Sequence, residues 1–147
     1  MAHKKFAQGK YPLKNPEKYI GNKLPMYRSS WEFAVMQMCD SKPSIKKWAS
    51  EAIKIPYVDP LTNKHTIYVP DFFVNFIDKF GVEHTEIWEV KPKCQLTVEA
   101  AGRSKRNQAQ AIKNAAKWKV AKLWCDQNNI KFRIITEEDL YHLGKPS

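Results

Sequence analysis

The sequence predicts an α/β (α+β) fold, a mixed central sheet flanked by helices, on three observations. Helical spacing begins at Ser29, short β-branched and aromatic runs follow between turn residues, and a long helical period returns from Ser104. A final alternating run comes after that helix. The order is then helix, three strands, long helix, strand, short helix. The chain of 147 residues suffices for one domain with a real core. Within that single domain, residues 1–28 read as a basic N-terminal arm and residues 29–147 as the core that carries the chemistry.

The arm shows no sustained period. It mixes Lys, Gly, Pro and Asn with single aromatics at Phe6, Tyr11, Tyr19 and Tyr27, and allows one short turn at Pro16 to Tyr19. Two roles are open to it: tracking nucleic acid by ion pairing and stacking, or pinning a loop to the core. Ser29-x-x-Glu32 has capping-box spacing, and Trp31, Val35, Met38 and Cys39 follow at helical intervals until Ser41-Lys42-Pro43. Residues 44–49 read as a further helical turn, and residues 51–58 alternate as the first strand. Residues 72–77 and 84–91 form the next two strands around an Asp78-Lys79-Phe80-Gly81 turn. Pro92 stops the third strand, and residues 93–103 make a long polar connection. Residues 104–128 form the long helix, 130–134 the fourth strand, and Thr136 caps a last helix ending at Gly144.

The net charge of +10 is segregated. Residues 1–28 carry +6 and residues 92–131 carry +7, whereas residues 29–91 between them carry −2. Basic flanks around an acidic centre suit double-stranded DNA as partner, with Lys93, Arg103, Lys105 and Arg106 as phosphate-contacting candidates. Along the long helix Lys113, Lys117 and Lys119 crowd the other sides; such a basic helix solvates its outer face, and phosphate contacts are open to it at its N-terminal end. Cys39, Cys94 and Cys125 are odd in number and far apart, which reads as reduced thiols in a cytoplasmic protein. No apolar run approaches the length of a bilayer span, so no membrane partner is expected.

Pro70-Asp71 and, after the hairpin, Glu89-Val90-Lys91 concentrate the candidate chemistry. Glu89 and Lys91 share one face of their strand, about 7 Å apart, and Asp71 can approach from the neighbouring strand. Two carboxylates and a lysine at the end of a hairpin suit a hard divalent cation and a water activated beside it. The candidate ligands are all oxygens: Asp71, Glu89, the Val90 carbonyl and Glu32. They point to Mg²⁺, with Mn²⁺ as substitute. Glu32 keeps two explanations, as helix-capping partner of Ser29 or as a metal-site acid. Glu86 is set aside because its strand position faces the other way.

Pro70-Asp71 … Glu89-Val90-Lys91 resembles the motif of the PD-(D/E)xK nucleases, and the element order resembles their restriction-endonuclease-like αβββαβ core. Tyr27-Arg28-Ser29-Ser30-Trp31-Glu32, Ser50-Glu51, Tyr68-Val69-Pro70-Asp71-Phe72 and Glu89-Val90-Lys91-Pro92 are similar to the catalytic domain of TnsA-type transposon endonucleases. With Lys10-Tyr11-Pro12 and Asn15-Pro16-Glu17-Lys18-Tyr19-Ile20-Gly21 added, the likeness extends over nearly the whole chain to head completion nucleases of tailed phages. The resemblance implies a phosphodiester-hydrolysing deoxyribonuclease with Glu32, Asp71, Glu89 and Lys91 as catalytic residues. It further implies DNA trimming at head–tail joining beside a portal or connector protein, in the host cytoplasm or in the virion. A vestigial neck protein, a junction resolvase and a transposon endonuclease are the rival readings. Oligomeric state, endo- or exonuclease preference and the number of metal ions are left open by the sequence.

Overall fold

The computed structural model describes residues 8–143. A four-stranded sheet sits at its centre, in the order β3 (Ile45–Ser50), β6 (Phe72–Ile77), β7 (Glu83–Val90), β8 (Lys131–Ile135). The β3–β6 and β6–β7 pairs are antiparallel, and β8 lies parallel to β7. A short ribbon of β4 (Ile55–Val58) and β5 (His65–Tyr68) is inserted between the first two sheet strands. Helix α1 (Ser30–Ser41) precedes the sheet. The short α2 (Val98–Ala101) and the long α3 (Lys105–Gln127) connect β7 to β8, and α4 (Glu137–Leu143) follows. This mixed sheet flanked by helices is the expected restriction-endonuclease-like αβββαβ arrangement.

The ends of the elements follow from local chemistry. The Ser29 hydroxyl accepts the Glu32 N–H at 3.1 Å and starts α1. The Asp78 carboxylate accepts the N–H groups of Phe80 and Val82, and Gly81, at φ 81°, completes the β6–β7 turn. Asn129, at φ 57°, ends α3 with the Ile130 N–H donating to the Cys125 carbonyl at 2.9 Å, a Schellman closure.

Two expected elements are corrected. Residues 44–49 are not a helical turn: Ile45–Ser50 is the edge strand of the sheet. Ile45 and Trp48 are both buried at a spacing of three, which mimics a helix. A β-bulge between Ile45 and Lys47 inserts one residue, reverses the side-chain parity and brings both onto the same face. Residues 51–58 are not the first core strand either. Glu51, at φ 52°, turns the chain out of the sheet, and only Ile55–Val58 is extended, paired with β5 alone. The 93–103 connection also carries more structure than expected, with α2 capped by the Thr97 hydroxyl.

Two cores divide the sheet. On one face Val35, Met36 and Cys39 of α1 pack with Trp48, Phe72, Val74, Trp88, Val90 and Ile135. On the other, Ile55, Tyr57 and Tyr68 of the ribbon pack against Ala121 of α3, with Phe132 of β8 alongside. The arm belongs to the first core. Tyr11 is buried, with its ring edge-on to Phe33, and Tyr19 stands edge-on to Trp48 at 4.8 Å. A short two-stranded pairing of β1 (Gly9–Lys10) with β2 (Met26–Tyr27) closes its ends. Tyr11, Tyr19 and Tyr27 thus pin the arm; Phe6 lies outside the described residues. Gly144, the expected end of α4, lies outside them too.

Asp40 holds that arm in place. Its buried carboxylate accepts the Tyr11 hydroxyl at 2.9 Å and the N–H groups of Lys14 and Asn15 at 2.8 and 2.9 Å. Burial by itself would raise this carboxyl. The donors outweigh it, so Asp40 titrates below its usual value.

Candidate active site

The last paired rung of the β6–β7 ladder is Phe72 with Trp88. Beyond it Pro70 has no N–H to give, and the Glu51 N–H donates to the Asp71 carbonyl at 2.9 Å, drawing that strand toward β3. The strands part there, and two side chains take over the pairing. The Val90 N–H donates to Asp71 Oδ2 at 2.8 Å, and the Asp71 N–H donates to Glu89 Oε1 at 3.2 Å. Each carboxylate satisfies the other strand's orphaned amide, and this brings Asp71 and Glu89 side by side.

Little else neutralises the pair. Lys91 Nζ stands 4.0 Å from Glu89 Oε2. Burial, then the neighbouring charges of Glu89 and Glu32, hold the Asp71 carboxyl well above the usual carboxylate range. Asp71 keeps partial contact with solvent although the volume around it is densely filled. Glu89 is 4% exposed and is also raised, by burial first, with Lys91 pulling the other way.

Glu32 approaches from α1. Its carboxylate accepts the Arg28 N–H at 3.1 Å, one residue before the expected Ser29 amide. Burial raises it, the Arg28 amide and guanidinium lower it, and the fields of Glu51 and Lys91 both reach it. Arg28 is ion-paired with Glu51 beside it. The structure therefore brings Glu32, Asp71, Glu89 and Lys91 to one end of the sheet.

Among the described residues no three Asp, Glu, His or Cys side chains are drawn together as the ligand set of one ion. The donor set fits a hard divalent cation through the Asp71–Glu89 pair. Two desolvated, mutually repelling carboxylates with one ammonium at 4.0 Å are what such an ion would neutralise. Glu86 is occupied elsewhere. It binds Arg133 through both oxygens, at 2.9 and 3.2 Å, and accepts the Trp88 indole N–H on the opposite face.

The phosphate candidates differ in setting. Arg103, Lys105 and Arg106 are exposed at the α2–α3 junction. Lys93 is exposed but paired with Glu138 at 2.9 Å. Sequence reasoning gave no role at the site to two residues next to the acid pair. Tyr68, at the end of β5, lies close enough to Glu89 for its hydroxyl to be pushed far up, by burial and then by that charge. Lys117 holds its Nζ 5.7 Å from the Tyr68 ring centroid. A signal for Lys117 was present: it continues the buried stripe Ala111, Asn114, Ala121, Cys125 of α3, three residues after Asn114 and four before Ala121.

Residues 42–137 match the family described as TnsA-like endonuclease N terminal. The chain is also 35% identical over 146 residues to the head completion nuclease of Enterobacteria phage T4, covering 92% of this chain and 95% of that protein. The matched span runs from the edge strand to the start of α4 and contains Asp71, Glu89 and Lys91. The chain belongs to the TnsA-like endonuclease N-terminal family, a family of nucleases.

Proposed function

We propose that this nuclease hydrolyses phosphodiester bonds of double-stranded DNA with a divalent cation, with little sequence specificity, and that it acts in phage head completion. The clasp of Asp71 and Glu89 where β6 and β7 part is the observation that carries this reading. Asp71, Glu89 and the Val90 carbonyl would hold Mg²⁺, and Mn²⁺ suits the same oxygens. When bound, the cation supplies Lewis acidity toward a phosphoryl oxygen and toward water.

The chain's own groups do the rest. Lys91 favours the ionised form of Glu89, orients the attacking water and offsets charge on the phosphate. Glu32 holds a water by its second oxygen while the first stays on the Arg28 amide. Arg103, Lys105 and Arg106 contact flanking phosphates. Lys93 joins them by exchanging its exposed ion pair with Glu138 for a phosphate. The place in head completion, beside a portal or connector protein, rests on the relative from phage T4.

The direct test is plasmid incubation with the wild-type chain in Mg²⁺, in Mn²⁺ and in EDTA. Cleavage in both ions and none in EDTA is expected. Undiminished cleavage in EDTA, or none with any divalent ion, would overturn the reading.

Glu32 makes a separate prediction. In Glu32→Gln the amide oxygen still accepts the Arg28 N–H, so the melting temperature should hardly move. Cleavage should fall by about a hundredfold or more through lost charge stabilisation. Wild-type rates in this variant would leave Glu32 with capping alone.

A further inference from the structure

Beside the acid pair, on the α3 face of the sheet, stands a polar pair that the roles above do not use. Tyr68 is 3% exposed, and its Oη is buried without a hydrogen-bond partner. It stands beside the Glu89 carboxylate and the Trp118 indole, close enough to feel both, without closing a hydrogen bond of normal geometry to either. A buried hydroxyl left unpaired is unfavourable, so a missing acceptor is the simplest account of it.

Lys117 lies over the ring of that tyrosine, half-buried, and no carboxylate among the described residues comes within ion-pair distance of it. One turn earlier Lys113 of α3 is paired at 3.7 Å with Asp59, from the turn between β4 and β5, so a lysine on this face does find a carboxylate there. A desolvated ammonium without a counter-ion is unfavourable unless an anion arrives. Burial lowers the Lys117 ammonium from its usual value and repulsion by Lys91 adds to this, against the opposing fields of Glu89 and Asp71, neither of which reaches ion-pair distance.

Both groups stand beside the acid pair, one against the other, without an anionic partner within bonding distance. The carboxylates of the pair are turned to the backbone amides of Asp71 and Val90 and leave the Tyr68 hydroxyl without an acceptor of normal geometry. We propose that Lys117 and the Tyr68 hydroxyl bind a non-bridging oxygen of the phosphodiester at the acid pair, from the α3 face, while Glu32 approaches from α1. The inference deepens the nuclease reading and rests on it. It adds two substrate contacts from α3 and β5, outside the Pro70-Asp71 and Glu89-Val90-Lys91 motif. An ammonium and a hydroxyl converging on one oxygen discriminate a phosphodiester from a neutral backbone but carry no base information, in keeping with cleavage of little sequence preference.

The test compares Lys117→Met, Lys117→Arg and Tyr68→Phe with Lys122→Met, whose lysine is exposed and paired with Asp126. Two quantities are measured: affinity for a duplex oligonucleotide in EDTA over a salt series, and single-turnover cleavage in Mg²⁺. Lys117→Met should flatten the slope of log affinity against log salt by about 0.9, one phosphate contact. It should also slow cleavage by about a hundredfold. Lys117→Arg should keep the slope and recover part of the rate. Tyr68→Phe should slow cleavage several-fold without lowering the melting temperature, since the hydroxyl it removes is unpaired.

Lys122→Met should match wild type in both measurements. A wild-type slope and rate in Lys117→Met overturn the proposal, as does an equal loss in Lys122→Met. A wild type that cleaves with no ion fails the nuclease reading itself, and the slope measured in EDTA still decides whether Lys117 contacts phosphate.

Discussion

Asp71→Asn is expected to abolish cleavage while the protein melts no lower than wild type. The amide oxygen can still accept the Val90 N–H, so the seam between β6 and β7 stays closed. What disappears is the charge opposite Glu89. The Asp71 carboxyl is held well above its usual range, by burial first and by Glu89 and Glu32 next. A carboxyl whose folded pKa exceeds its unfolded value costs stability at every pH above both. Removing it relieves that cost and lets Glu89 ionise more readily. Melting at neutral pH should therefore rise, and the gain should shrink on acidification as the wild-type carboxyl takes up its proton.

Catalysis moves the other way. Losing one of two carboxylate ligands removes about 4 kcal/mol of transition-state stabilisation, about a thousandfold in rate. Glu89→Gln should behave alike, keeping its acceptor for the Asp71 N–H. Added Mg²⁺ should raise the melting temperature of wild type and of neither variant, because only an ion bound to the folded state stabilises it. Cleavage by both variants at wild-type rates, followed on plasmid DNA, would remove the pair from the mechanism.

Asp40→Ala should be the most destabilising single change among the residues discussed. It strands the Tyr11 hydroxyl and the amides of Lys14 and Asn15 and frees the arm from α1. Each buried or part-buried donor left unpaired costs about 1–3 kcal/mol, of which relaxation and water recover a part. A net loss of about 3–4 kcal/mol corresponds to a fall of about 10 °C in melting temperature for a chain of this size. The pH dependence gives a second readout. The folded Asp40 pKa is depressed, so its contribution is fully present above the unfolded value of about 3.9. It is lost as pH falls through the folded value. The acid limb of the wild-type stability curve should therefore be steeper than that of Asp40→Asn. Thermal melts between neutral pH and about pH 3 decide this, and parallel curves would show that Asp40 is not what fixes the arm.

By itself the sequence determined the elements whose signals are local. Ser29 and Glu32 announce the start of α1 through adjacent hydrogen bonds. Asp78 and Gly81 announce the β6–β7 turn, and Pro70 with Pro92 mark where the ladder must stop. Glu89 and Lys91 share a face because side chains alternate along a strand, and Glu86 is excluded by the same parity. Tertiary structure decided what depends on pairing across the sheet. The bulge that made Ile45–Ser50 look helical is defined only against β6, and the ribbon of β4 and β5 is separated from the sheet only by where Glu51 turns the chain. The same holds for Asp40, a helix residue whose donors stand 25 to 29 positions away in the chain. It holds also for Lys117, which meets Tyr68 and the acid pair only because α3 packs on the ribbon. Local chemistry acts over a few residues and can be read along the chain. A long-range contact forms between groups whose separation in sequence carries no period, and only the folded backbone specifies it.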